Sequence, residues 1–113
     1  MVINRSVFVI CRKNASGGPN YYAAHGSMGG VEDAIGYDEK MFARKFLTED
    51  SAQAFIRDEL PEWGRSIHHP KEMTPCEIMI DCPELFVALL ENDDEKICLA
   101  LEPPGARMLI WRR

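Results

Sequence analysis

Histidine and cysteine are the residues of this sequence whose side chains could bind a metal or act as nucleophiles. Structural zinc sites take their ligands as close pairs, such as Cys-x2–4-Cys and His-x3–5-His, so that each pair converges on one ion. Neither spacing occurs, and adjacent histidines on an extended chain point to opposite sides. We therefore predict no metal, no cofactor and no catalytic residue. The alternative is a small metal-dependent or thiol enzyme built on these residues: His25, His68, His69, Cys11, Cys76, Cys82 and Cys98.

The cysteines all lie within aliphatic runs, which predicts four buried thiols in a reducing compartment. Burial raises the pKa of a thiol and suppresses the reactive thiolate. The apolar run at residues 7–11 is too short for a signal sequence or a membrane span. We therefore expect a cytoplasmic protein that does not enter a membrane.

The charge balance bears on the class of partner. The chain has 13 basic and 18 acidic residues, a formal net charge of −5. A negative field repels phosphate backbones and anionic lipid heads. We expect no direct contact with nucleic acid or membrane, and a protein partner with a basic surface, such as one that normally holds nucleic acid.

Aromatic residues beside loops give the best candidate binding site. Tyrosine, tryptophan and arginine are the residue types that dominate interface hot spots. A glycine-rich segment, residues 25–36, adds two acidic residues and is expected to be an exposed loop. The alternative for Trp63 is that its side chain does not bind a partner and only covers the edge of the hydrophobic core. The predicted binding residues are Tyr21, Tyr22, Tyr37, Glu32, Asp33 and Trp63.

The N-terminal half must supply the elements that position these residues. The β-branched and aromatic run 6–11 predicts a buried strand, and the turn residues 14–20 predict a hairpin with a second strand at 21–24. Residues 40–47 are expected to return as a third strand. Residues 62–75 read as a polar connection.

One amphipathic helix, over about residues 49–60, is the clearest element in the sequence. Thr48 is the expected N-cap, and Pro61 stops the helix. The apolar residues Ala52, Phe55, Ile56 and Leu60 recur at helical spacing. This apolar face is expected to pack on a sheet.

The C-terminal third is predicted to be a β-meander. Residues 76–82 alternate apolar and polar, as in a half-buried strand. The run 85–90 fits a buried strand or a short helix, and the turn cluster 92–95 favours the strand. The predicted strands are 76–82, 85–90, 96–101 and 108–111. The chain, residues 1–113, is thus expected to be a single α+β domain, with an antiparallel sheet, one main helix and a C-terminal meander.

The segment that opens the helix carries a resemblance. Ala43, Phe46, Thr48 and Ala52 fit the pattern Ala-x-x-Phe-x-(Ser/Thr)-x-x-x-Ala after a run of strands. Over roughly residues 6–60 the chain resembles small accessory proteins encoded by phages and prophages. The resemblance carries no catalytic residues and implies a stand-alone protein that binds a host or phage protein, including as an inhibitor of a host defence system. A further alternative is a structural subunit that forms a homodimer through exposed strand edges.

Overall fold

The computed structural model describes residue 3, residues 5–25 and residues 35–101. Within these residues the fold is α+β, with a five-stranded antiparallel sheet and four α-helices. The strands are β1 (Phe8–Arg12), β2 (Tyr21–His25), β3 (Gly36–Asp38), β4 (Lys45–Phe46) and β5 (His68–Glu72). The helices are α1 (Glu49–Glu59), α2 (Pro75–Asp81), α3 (Pro83–Glu91) and α4 (Asp94–Leu101), with two 3₁₀ helices at Lys40–Phe42 and Glu62–Gly64. None of these helices is long and apolar enough to cross a membrane.

The first strand, β1, is the centre of the sheet. It pairs with β5 along all five of its residues. A strand has only two edges, so β2 and β4 share the other one, where β4 pairs with Phe8 and Val9 and β2 with Cys11 and Arg12. β3 extends the sheet beyond β2. The predicted hairpin of β1 and β2 is therefore confirmed.

Alternate residues of β1 face two separate cores, as the period of a strand requires. Ile10 faces α1, and Val9 faces the other three helices. The α1 core consists of Ile10, Ala23, Ile35, Ala52, Phe55, Ile56 and Leu60. The α2–α4 core consists of Val7, Val9, Ala43, Met73, Ile78, Leu85, Ala88, Leu89 and Ile97. The sheet is thus covered by helices on both faces.

Helix α1 forms as its sequence predicts. The Thr48 side chain accepts a hydrogen bond from the Ser51 amide at 3.0 Å, which caps the first turn. Phe55, Ile56 and Leu60 are buried against the sheet. Burial of each such side chain contributes roughly 1.5–3 kcal/mol before conformational entropy is subtracted.

The predicted C-terminal meander is wrong, because residues 76–81, 85–90 and 96–101 lie in α2, α3 and α4. Thr74 and Glu77 form a capping box, with Pro75 at the start of α2. Asn92, at φ 54°, ends α3 in the left-handed conformation. The Asp93 carboxylate then accepts hydrogen bonds from the amides of Glu95 and Lys96 and opens α4. The turn cluster therefore separates two helices rather than two strands.

The third predicted strand is largely replaced by other structure. Only Lys45 and Phe46 of residues 40–47 are in a strand, β4, and Lys40–Phe42 form a 3₁₀ helix. The Lys45 ammonium is buried and donates to the carbonyl oxygens of Ala43 at 2.7 Å and Met41 at 3.0 Å. Because Lys45 binds carbonyl oxygens two and four residues before it in the chain, residues 40–44 turn around the ammonium and do not form an extended strand.

Two strands were not predicted. β5 occupies part of the expected polar connection, and β3 includes Gly36, the last residue of the expected glycine loop. His25, the first residue of that loop, lies in β2. Residues 26–34 of the loop and the last predicted strand, 108–111, lie outside the described residues.

Candidate functional site

The candidate site lies where β1 ends, on the face of the sheet that α1 covers. Arg12 is two residues beyond Ile10 and so shares its face. Its cross-strand partners are Tyr21 on β2 and His68 on β5. Tyr37 on β3 pairs with Ala23, which belongs to the same α1 core. Four strands therefore bring polar and aromatic side chains to one corner of the sheet.

Three aromatic rings surround the Arg12 guanidinium. The guanidinium carbon lies 5.5 Å from the ring centroid of Tyr21, 6.0 Å from that of Tyr37 and 5.5 Å from that of Trp63. These are cation–π distances. The 3₁₀ helix after α1 supplies Trp63. We call Arg12, Tyr21, Tyr37, Trp63 and His68 the Arg12 cluster.

Hydrogen bonds fix the orientation of the inner groups of the cluster. His68 Nδ1 lies 2.6 Å from the Gly64 carbonyl oxygen, which can only accept, so Nδ1 carries the proton. In the neutral ring Nε2 is then an acceptor, and the Tyr37 hydroxyl donates to it across 2.8 Å. The same hydroxyl accepts from Arg12 Nη1 at 3.2 Å. Arginine, tyrosine, histidine and backbone thus form one directed chain of hydrogen bonds.

His68 is held neutral at the base of the cluster. Burial lowers the pKa of His68, and the positive charges of Arg12 and His69 lower it further, against the opposing effect of the Gly64 hydrogen bond. The ring also stacks on Tyr37, with centroids 5.7 Å apart. Gly64 allows this close packing, because a Cβ there would lie 2.8 Å from Ile35 Cδ1 and 3.3 Å from the His68 ring.

The outer part of the cluster reaches the surface. Tyr21 is 41% exposed and Trp63 is 44% exposed. Both residues therefore contact Arg12 while part of each remains exposed in the described structure. The cluster combines a fixed interior with an aromatic surface.

The structure brings together three of the six predicted binding residues, Tyr21, Tyr37 and Trp63. Tyr22 pairs with Cys11 and packs on the α2–α4 core, so it lies on the opposite face of the sheet. Glu32 and Asp33 lie outside the described residues. The two central polar residues, Arg12 and His68, were not predicted as binding residues. Arg12 lies two residues after Ile10, so the strand period places both side chains on the same face. Together with the predicted hairpin, this spacing could have placed Arg12 next to Tyr21.

The residues of the alternative metal site do not come together in the described part of the chain, whereas for the thiol alternative Cys11 pairs with His69 across β1 and β5. No group of three or more His, Cys, Asp or Glu residues there could hold a metal ion. His68 and His69 point to opposite faces of β5, as expected for adjacent strand residues. All four cysteines are free, but Cys76 and Cys98 are exposed and Cys82 is only half-buried, so the predicted burial of these three is wrong. Cys11 is buried, and burial raises the pKa of its thiol.

No protein-family model, curated protein or solved structure matches this chain.

Proposed function

We propose that this chain is a non-enzymatic protein-binding module and that the exposed part of the Arg12 cluster is its docking surface. One observation carries the proposal: three aromatic side chains from three separate elements converge on one guanidinium. Trp, Tyr and Arg are the residues most enriched among interface hot spots. Such rings also lose little conformational entropy on binding when their neighbours already hold them.

The chemistry of the cluster supports binding rather than catalysis. A general base needs a ring nitrogen that can reach a substrate proton. Both nitrogens of His68 are engaged, one with the Gly64 carbonyl and one with the Tyr37 hydroxyl. His68 as a whole is also only 5% exposed. His68 therefore acts here as a support for Tyr37.

The identity of the partner is proposed from the whole sequence. The net charge of −5 favours a partner with a basic surface, such as one that normally holds nucleic acid. The resemblance over residues 6–60 favours a host protein, and we extend the proposal to inhibition of a host defence system. The four free cysteines fit action in the cytoplasm.

Affinity capture tests the proposal. The tagged chain is used as bait in a lysate of the cell from which its sequence comes, in low and in high salt, and bound proteins are quantified by mass spectrometry. We expect a stoichiometric partner whose recovery falls at least tenfold when Tyr21→Ala and Trp63→Ala are combined, since each hot-spot truncation costs about 2 kcal/mol or more.

Phe42→Ala is the matched control. Phe42 is an aromatic residue, 48% exposed, in the 3₁₀ helix whose Lys40 forms an ion pair with Glu77 of α2, away from the Arg12 cluster. This variant should retain the partner. Recovery of no stoichiometric partner at either salt concentration, or equal recovery with all variants, would refute the proposed function.

A further inference from the structure

The Arg12 guanidinium has hydrogen-bonding capacity that the described residues do not use. Its described hydrogen bond is the one from Nη1 to the Tyr37 hydroxyl. The ion pairs of the described residues are made by other cations, namely Arg5, Lys40, Arg57 and Lys96. No carboxylate in the described part of the chain lies within ion-pair distance of Arg12. A guanidinium has five N–H donors, so the described residues leave most of these donors for a ligand.

The surroundings of Arg12 restrict where a ligand can approach. Aromatic rings from β2, β3 and the 3₁₀ helix lie around the guanidinium, and Tyr37 holds one of its terminal nitrogens. The remaining N–H groups share the guanidinium plane. A planar fork held in this way matches the two oxygens of a carboxylate, which accept two parallel hydrogen bonds.

We propose that the partner segment presents an aspartate or glutamate carboxylate to Arg12, with an adjacent apolar side chain against Tyr21 and Trp63. This inference rests on the proposed function and names the chemistry at its centre. A peptide carboxylate is favoured over the phosphates of a nucleic acid because the net charge of −5 repels a polyanion more strongly than a single carboxylate. The partner therefore combines one acidic contact at the centre with basic groups around it.

Selection from a random dodecapeptide display library tests this pairing. The full chain is immobilised, and enriched peptides are synthesised with the acidic residue intact or replaced by its carboxamide. Affinities are measured by isothermal titration calorimetry for the wild type, Arg12→Gln and Arg12→Lys. Thermal unfolding followed by circular dichroism identifies the variants that remain folded.

We expect the enriched peptides to share one acidic position next to an apolar residue. The carboxamide should weaken binding to the wild type about tenfold or more, as expected for loss of a charge-assisted pair. The same change should have less than a threefold effect on Arg12→Gln. Arg12→Lys should give an intermediate loss, because it keeps the charge without the planar fork.

Three outcomes would overturn the inference. Enriched peptides with no acidic position, but with binding that still depends on Trp63, would refute the carboxylate contact while supporting the docking surface. Equal carboxamide effects on the wild type and on Arg12→Gln would place the acidic contact elsewhere. Tighter, Arg12-dependent binding of a dT12 oligonucleotide than of any enriched peptide would assign the site to nucleic acid, and would count against the proposed function as well.

Discussion

At the scale of single residues, the Tyr37 hydroxyl joins the exposed and buried halves of the Arg12 cluster. It accepts from Arg12 and donates to His68, while its ring packs against Tyr21 with centroids 5.2 Å apart. Loss of this one oxygen removes an acceptor from a cation and a donor from a buried ring nitrogen. The unpaired groups, rather than the lost bonds themselves, set the energetic penalty.

Tyr37→Phe should therefore destabilise the protein by about 1–3 kcal/mol, because it leaves the buried His68 Nε2 without its donor. Urea unfolding followed by circular dichroism measures the change. Tyr21→Phe is the control, since that ring is 41% exposed and no hydrogen bond of its hydroxyl is seen in the described residues. The control should stay within about 0.5 kcal/mol of the wild type. Equal destabilisation by both variants would contradict the proposed role of the Tyr37 hydroxyl.

Acid should weaken the folded state through His68. The pKa of His68 is lowered in the fold from its ordinary value of 6.5, so the unfolded chain takes up the proton first. The stabilisation is complete above pH 6.5 and is lost as the pH falls from 6.5 through the lower folded pKa. Urea unfolding between pH 7.5 and 5 should show a decline that His68→Gln reduces. His69→Gln, at an exposed position, should reduce the decline much less than His68→Gln, because it removes only a minor cause of the lowered His68 pKa, and a decline unchanged by His68→Gln would refute this assignment.

The site was only partly predictable at this scale. Tyr21, Tyr37 and Trp63 could be selected because residue type and proximity to turns are visible in the sequence. The role of His68 depends on pairing between β1 and β5, which are far apart in the chain, and on the close approach of Gly64. Neither contact leaves a local pattern, so His68 looked like a loop residue.

At the scale of elements, helix-capping residues determine the structure of residues 76–81, where the alternation of apolar and polar residues predicts a strand. Residues 76–82 have a strand-like pattern, yet Thr74, Pro75 and Glu77 start a helix there. This segment pairs with no strand of the described sheet. Its alternating apolar residues are therefore not all buried, and Ile80 is 67% exposed on α2. In α1, by contrast, cap and periodicity agree, and the sequence was sufficient to predict the helix.

Glu77 ties α2 to the 3₁₀ helix and should give a second acid-sensitive step. The hydrogen bond from Lys40, followed by the one from the Thr74 amide, lowers the pKa of Glu77 from 4.5 to about 2. Its stabilisation is therefore present above pH 4.5 and is lost as the pH falls from 4.5 toward 2. Glu77→Gln should cost about 0.5–1 kcal/mol at pH 7 and flatten the stability profile in that range.

The measurement is urea unfolding at pH 7, 4.5, 3.5 and 2.5. Glu84→Gln is the matched control, because Glu84 is an exposed acidic residue in the first turn of α3. It should leave the slope below pH 4.5 close to that of the wild type. If both variants flatten the profile equally, the ion pair with Lys40 is not its source.

At the scale of the whole molecule, β1 couples the two cores. Val9 lies in the α2–α4 core and Ile10 in the α1 core, with both side chains fully buried. A rearrangement of one layer therefore alters the strand on which the other layer packs. The single domain expected from the sequence stays a prediction, and the shared strand gives a way to test it.

Leu85→Ala tests the coupling. Leu85 is 1% exposed in the α2–α4 core, and its truncation should cost about 2–5 kcal/mol. In a Trp111→Phe background, Trp63 fluorescence reports the Arg12 cluster on the other face of the sheet, and far-ultraviolet circular dichroism reports the helices. Both urea transitions should shift together. Val87→Ala, 48% exposed on the same helix, should shift neither by more than about 0.5 kcal/mol, and separate transitions in Leu85→Ala would refute a single cooperative unit.

The position of β1 at the centre of the sheet also affects when its two edges can pair during synthesis. The strand leaves the ribosome before its full-length partner β5, which is made only when residues 68–72 appear. At roughly 5–20 residues per second, one edge of β1 waits unpaired on the order of seconds. A nascent chain stalled before residue 68 should therefore be open to proteases or chaperones at Val9 and Ile10, and one stalled well beyond residue 101 should be protected.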